Sequence, residues 1–152
     1  PRAAALVGIC ARPLTYGIQK PADVRPEGLV MDLAGVRFTA TTPAGPVEIR
    51  SSLVGRPNVY NLLAAVATAS ALGIPREAIA AGLASQTGVP GRFEVVSSPA
   101  DGVTVVVDYA HTDDALRNLI ETARPLTAGR VITLFGCGGD RDRTKRPLMG
   151  MV

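Results

Sequence analysis

Two stretches near the end of this chain carry residues able to do chemistry. In VTVVVDYAHTDDAL an apolar β-type run stops at Asp108, and His111 follows three residues later. In RVITLFGCGGDRDRTKRP a second apolar run ends in Gly136, Gly138 and Gly139, followed by Asp140 and Arg141. Open α/β sheets bind ligands beyond the carboxyl ends of their strands, where loops and helix N-termini converge. Two polar clusters at two such ends suit a nucleotide and a second substrate side by side.

Each candidate has a structural and a chemical explanation. Asp108 either caps nearby N–H groups in a turn or accepts hydrogen bonds from ribose hydroxyls. His111, the one histidine of the chain, is either structural or part of an anion site at a helix N-terminus, where free N–H groups and positive partial charge converge. Arg92, in the connector GVPGRFE, is either a solvated loop residue or a fork of donors for phosphate or ribose. Asn58 and Asn61 are three apart and share a helix face. They either cap that helix or offer amides to a base or ribose edge. The run GCGGDRDRTKR fits neither G-x-x-x-x-G-K-[ST] nor G-x-G-x-x-G. Its basic residues Arg141, Arg143, Lys145 and Arg146 either form a salt-bridged surface or hold a substrate carboxylate and a phosphate.

Composition narrows the classes. Aromatics are 4% of 152 residues and Trp is absent, so the stacking platforms of single-strand binders are missing. A net charge of +3 suits a small anionic ligand at least as well as a polyanion. One His and two distant cysteines, Cys10 and Cys137, argue against both a protein-built metal site and a disulfide framework. The apolar run from Ala3 to Ala11 is too short to span a bilayer, and no signal-peptide cleavage pattern follows it. The expectation is a cytoplasmic protein. The chain opens at Pro1 and stops at Val152 just after a helix begins, so a piece of a longer protein is expected.

These residues need elements to position them. Strands are predicted over Ala22–Asp32 and Val36–Thr42 around a turn at Ala34-Gly35, with a second turn at TTPAGPV. Pro57 opens a helix whose apolar positions are Leu62, Leu63, Val66, Ala69 and Leu72, and Gly73 ends it. Pro75 opens a second helix with Ile79 and Leu83 inward. The connector QTGVPGR follows, and a domain boundary near Gly91 separates residues 1–91 from 92–152. Beyond it, strands are predicted over Phe93–Ser98, Val103–Asp108 and Arg130–Phe135. A helix over Thr112–Arg124 is capped by Thr112, with Asp113 and Asp114 at its positive end. Pro147 opens a last helix. The β-α-β order predicts a parallel sheet with a right-handed crossover.

Taken together, GRPNVYNLLAAVATASALGI, VPGRFEVV, VDYAHTDDAL and FGCGGDRDRTKRPLMG resemble, in order and spacing, the Mur ligases and among them the MurE type. The resemblance covers most of Ser52 to Met151. It implies an α/β protein holding the end of a central ATPase domain and the start of a Rossmann-like C-terminal domain. It also implies ATP-dependent amide formation in peptidoglycan synthesis, with ATP and Mg²⁺ as cofactors. The carboxylate of UDP-MurNAc-L-Ala-D-Glu would be phosphorylated and the acyl phosphate attacked by a diamino acid, meso-diaminopimelate rather than lysine. Neither nucleic acid nor membrane would be a partner, and the full-length protein would be a monomer. By the same resemblance Asn58 and Asn61 lie near the adenine, Arg92 reaches the nucleotide, and Asp108 binds ribose. His111 lies close to the phosphates, Lys145 near the nucleotide, and Arg141 holds a carboxylate of the incoming amino acid.

The alternatives are another ligase of the superfamily, folylpolyglutamate- or cyanophycin-synthetase-like, or a non-catalytic nucleotide- or anion-binding module. The family's usual Pro after DYAHT is Asp113 here, which a helix start tolerates. The 152 residues contain no G-x-x-x-x-G-K-[ST] loop. The purified chain is therefore expected to release no phosphate from ATP in the presence of UDP-MurNAc-dipeptide and diaminopimelate. A phosphate-release assay above the protein-free blank would refute this.

Overall fold

The computed structural model describes residues 7–139 and 142–152. Three strands, β1 (Arg25–Asp32), β2 (Gly35–Thr41) and β3 (Val47–Ser51), form an antiparallel sheet in the order β1-β2-β3. Alternation sets its faces: Val36, Phe38 and Ala40 on β2 and Val47, Ile49 and Ser51 on β3 are buried. Period-two side chains leave Arg37, Thr39, Glu48 and Arg50 on the outer face. There Thr39 Oγ1 donates to Glu48 Oε1 at 2.7 Å.

The β1–β2 turn depends on glycine. Gly35 has φ 132°, and a Cβ placed on it would lie 2.0 Å from the Ser51 carbonyl oxygen. The first strand begins at Arg25 rather than Ala22. Val24, fully buried, instead makes an isolated parallel bridge with Tyr16.

Two helices cover the sheet, α1 (Arg56–Ala71) and α2 (Arg76–Ala84). Val59, Leu62, Leu63, Val66 and Ala67 on α1 are buried. Their spacing is that of one helical stripe, and each large side chain contributes about 1.5–3 kcal/mol by leaving water. The expected face extended too far: Ala69 is partly buried, and Leu72, at the C-cap, is 74% exposed. Ile79 is buried and Leu83 packs against the same core, as expected.

Beyond the connector, regular structure is sparser than predicted. The expected strands 93–98 and 103–108 shrink to β4 (Glu94–Val95) and β5 (Val106–Val107), paired antiparallel. The SSPADG segment is a 3₁₀ turn closed by Ser98, whose N–H donates to Asp101 Oδ2 at 2.6 Å. Helix α3 (Asp113–Ala123) forms where predicted, with Thr112 as its N-cap accepting from the Ala115 N–H. Helix α4 (Lys145–Met151) starts two residues before Pro147.

The expected strand over Arg130–Phe135 has no ladder partner among the described residues, and Ile132 and Leu134 are 82% and 98% exposed. The expected parallel sheet and crossover are accordingly not formed among them. A β-type run becomes a strand only where a neighbour takes up its N–H and C=O groups, and β5 is paired antiparallel with β4.

Gly35→Ala is expected to destabilise the chain by more than about 2 kcal/mol, because backbone atoms must move to admit the methyl group. Gly73→Ala, at φ 74° with open space around the added carbon, should cost about 1 kcal/mol. Urea unfolding of the two variants checks the ranking.

Candidate functional site

Asp108, directly after β5, ties the site together. Its Oδ2 accepts the Phe93 N–H at 2.8 Å and its Oδ1 accepts the Ala110 N–H at 2.8 Å. The turn-forming explanation of this residue is thus realised. A carboxylate still has capacity beyond two bonds, since it offers about four lone-pair sites. The bond to Phe93 spans fifteen residues and pulls the connector onto the strand end.

Two further bonds lock the same junction. The Tyr109 N–H donates to the Gly91 carbonyl at 2.8 Å, and the Gly91 N–H donates to Glu94 Oε2 at 2.8 Å. Phe93 adopts φ 45°, the left-handed region, with its ring buried. Such backbone in a bulky residue persists only where its surroundings over-determine it.

Arg92, exposed, is thereby placed with its guanidinium carbon 5.6 Å from the Tyr109 ring centroid. On the same tyrosine, His111 lies with ring centroids 5.0 Å apart, and its Nδ1 is 3.0 Å from the Tyr109 carbonyl oxygen. That contact favours an Nδ1–H tautomer, which turns Nε2 into an acceptor. Arg92, Asp108 and His111 therefore meet as one group. Tyr109, at its centre, was not singled out from sequence. The available signal was an aromatic residue between the strand-end Asp and the His.

A cleft of about 430 Å³ opens beside Arg92, lined by Leu53, Val54, Val89, Arg92, Phe93 and Glu94 among others. The asparagines sit behind its wall at Val54. Asn58 Nδ2 donates to the Val54 carbonyl at 2.8 Å, and Asn61 Nδ2 donates to Asn58 Oδ1 at 3.2 Å. Neither side chain caps α1, whose N-cap is Gly55. That glycine is needed for close approach: at φ 92°, a Cβ would lie 2.6 Å from Thr122 Cγ2 on α3. The start of α1 and the body of α3 thus touch, on the far side of the connector from each other in sequence.

The second junction forms its own unit. Thr144 donates through both N–H and Oγ1 to Asp142 Oδ1, at 3.0 and 2.6 Å. The Thr144 hydroxyl first, then its N–H and the neighbouring Lys145 charge, holds the Asp142 carboxyl below its ordinary range. Lys145 opens α4 and is partly exposed. Arg146 donates to the Gly139 carbonyl at 2.9 Å, and Cys137 Sγ lies 3.7 Å from the buried Met149 Sδ. Among the described residues nothing lies within 4 Å of an added Cβ at Gly136, Gly138 or Gly139. Packing does not demand these glycines, and only Gly139, at φ 74°, is demanded by backbone angle. Arg141 lies outside the described residues. Among the described residues no group of three or more His, Cys, Asp or Glu side chains is arranged to hold a metal ion, and no helix is long and apolar enough to cross a membrane.

Asp108→Asn leaves one acceptor oxygen for two N–H groups and aims an NH₂ at the other. The expected cost to the junction is about 1–3 kcal/mol. Hydrogen exchange of the Phe93 and Ala110 amides measures it, and protection unchanged from the parent chain would show that the carboxylate does not hold the connector.

Known proteins resemble this chain in sequence and in fold. The Mur ligase middle domain matches residues 4–69, and the Mur ligase glutamate ligase domain matches residues 91–152. Over 138 residues the chain is 56% identical to the UDP-N-acetylmuramoyl-L-alanyl-D-glutamate–2,6-diaminopimelate ligase of Gloeobacter violaceus, covering 91% of this chain and 28% of that protein. The protein of the same name from Solibacter usitatus is 56% identical over 137 residues, with 90% and 28% covered. A solved structure of a ligase of that name superposes with TM-score 0.66 at 37% identity, over 98% of this chain and 31% of the other. A folylpolyglutamate synthetase complex titled FPGS-AMPPCP-folate shares the fold alone, at 23% identity and TM-score 0.74, over 97% of this chain and 35% of that one. The chain spans little more than a quarter of the length of the curated relatives. Its two domain matches and its identity to these ligases make it a member of the Mur ligase family.

Proposed function

We propose that this chain is the nucleotide-facing part of an ATP-dependent ligase that joins meso-diaminopimelate to UDP-MurNAc-L-Ala-D-Glu. The observation that carries the reading is the Asp108 tie to Phe93, which holds the connector where Arg92 lines a cleft and shares the Tyr109 ring with His111. The relatives named above carry that activity in their names.

The residues present suit a nucleotide. Arg92 offers a planar fork of donors to phosphate oxygens. Asp108 keeps lone pairs for ribose hydroxyls, and His111 stands one residue before the N-cap of α3, where backbone N–H groups favour an anion. Asn61, exposed on α1, has an amide to offer to a base edge while Asn58 steadies it. ATP supplies the phosphoryl group that activates the D-Glu carboxylate, and the amine of the diamino acid displaces phosphate from the acyl phosphate. Arg141 holds a carboxylate of that diamino acid and Lys145 faces the nucleotide. Catalysis on this side is positioning and charge neutralisation. Mg²⁺ is a cofactor in this reading, and no ligand for it is assigned to this chain. The full-length protein is a cytoplasmic monomer in this reading, without nucleic-acid or membrane partners.

Exchanging this chain for the matching segment of the Gloeobacter violaceus ligase tests the proposal. The hybrid should form ADP only when UDP-MurNAc-L-Ala-D-Glu and meso-diaminopimelate are both present, and lysine should not replace the latter. A folded hybrid that binds nucleotide but forms no diaminopimelate-dependent ADP would overturn the ligase reading in favour of a binding module.

A further inference from the structure

Tyr109 is the unexplained residue of the site. It is 66% exposed, so both ring faces are open to neighbouring side chains. Three separate contacts converge on it. The Arg92 guanidinium stands over its ring at 5.6 Å. The His111 ring packs at 5.0 Å with the planes tilted by 59°. Its backbone bonds on both sides, the N–H to Gly91 and the carbonyl to His111 Nδ1. Gly91, at φ 67°, would bring a Cβ within 4.0 Å of the Tyr109 Cβ, so the connector runs directly alongside.

We infer that Tyr109 is a positioning residue that holds Arg92 and His111 as one preformed anion-facing pair. The physical basis is the ring quadrupole, whose negative face attracts a guanidinium. The edge of the same ring orients the imidazole in a tilted contact. A free arginine loses rotamer entropy when it closes on a phosphate. An arginine already parked on an aromatic face has lost part of that entropy beforehand, so the ring improves binding without touching the ligand. The phenol hydroxyl plays no part in these contacts, so phenylalanine should serve as well as tyrosine, and an aliphatic side chain should not. The assignment of the ligand as a nucleotide phosphate rests on the ligase reading. The contacts of Tyr109 do not.

The test uses the 152-residue chain and its Tyr109→Phe and Tyr109→Leu variants. Two quantities are read: the NMR shifts of the Arg92 Nε–H and the His111 ring protons without ligand, and the dissociation constant for AMPPNP. In Tyr109→Phe both should match the parent. In Tyr109→Leu the Arg92 and His111 signals should move toward their values in unstructured peptides. Nucleotide affinity should fall roughly five- to tenfold, in the range expected for losing one partly desolvated cation–π contact. Unmoved Arg92 and His111 signals in Tyr109→Leu would overturn the inference, and so would moved signals with unchanged affinity. A Tyr109→Phe variant that behaves like Tyr109→Leu would overturn it as well, by placing the effect on the hydroxyl. If the parent chain binds no AMPPNP, the nucleotide reading of the site fails, and the ligand-free shifts alone decide whether Tyr109 holds the pair.

Discussion

The hydrogen bond from the Phe93 N–H to Asp108 Oδ2 is the contact on which the site depends. Phe93 sits at φ 45°, a backbone state that costs on the order of 1–3 kcal/mol for a residue of this kind. A bond to a charged acceptor contributes about 1.5–3 kcal/mol, and the buried ring contributes about as much again. The carboxylate bond and the buried ring together offset the strained turn. What the turn achieves is direction. It sends Arg92 back over Tyr109, whereas an extended residue at 93 would continue the connector past the strand end.

The first unit acts as a support for that junction. Its sheet and two helices share one apolar core from Val24 to Ile79, and α1 emerges from it at Gly55. The methyl of Thr122 on α3 occupies the space a Cβ at Gly55 would need. Asn58 then bonds back to the Val54 carbonyl, stiffening the chain that lines the cleft. The asparagine thus braces the wall from behind, and Asn61, the more exposed of the pair, donates to it. Sequence spacing placed the two on one face. Only the geometry separates a supporting side chain from a presenting one.

What could be read from the sequence was governed by how local its cause is. The α1–α2 pair was legible because period and proline are properties of the segment itself, and the Thr112 cap for the same reason. The overreach to Leu72 came from continuing a period past the point where the helix ends. The run at Arg130–Phe135 was not legible as unpaired. Its composition is that of a strand, but pairing belongs to the neighbour and not to the segment. For Asp108 and His111 both explanations were open from sequence, and the structure realises the structural one for Asp108 without removing its spare acceptor capacity. Tyr109 escaped notice because its importance lies in two contacts, one of them seventeen residues away at Arg92, that no local pattern encodes.

The two junctions solve different physical problems. Around Asp108 every element is cross-tied: connector to strand end, tyrosine to connector, histidine to tyrosine. A junction so cross-tied holds its backbone in one arrangement before any ligand arrives. The second junction holds glycines that no packing contact among the described residues requires. Asp142 and Thr144 close their own turn, and Arg146 reaches back to Gly139. The Asp108 junction is held by ties between elements far apart in sequence, whereas the described residues of the second are held by contacts within their own segment.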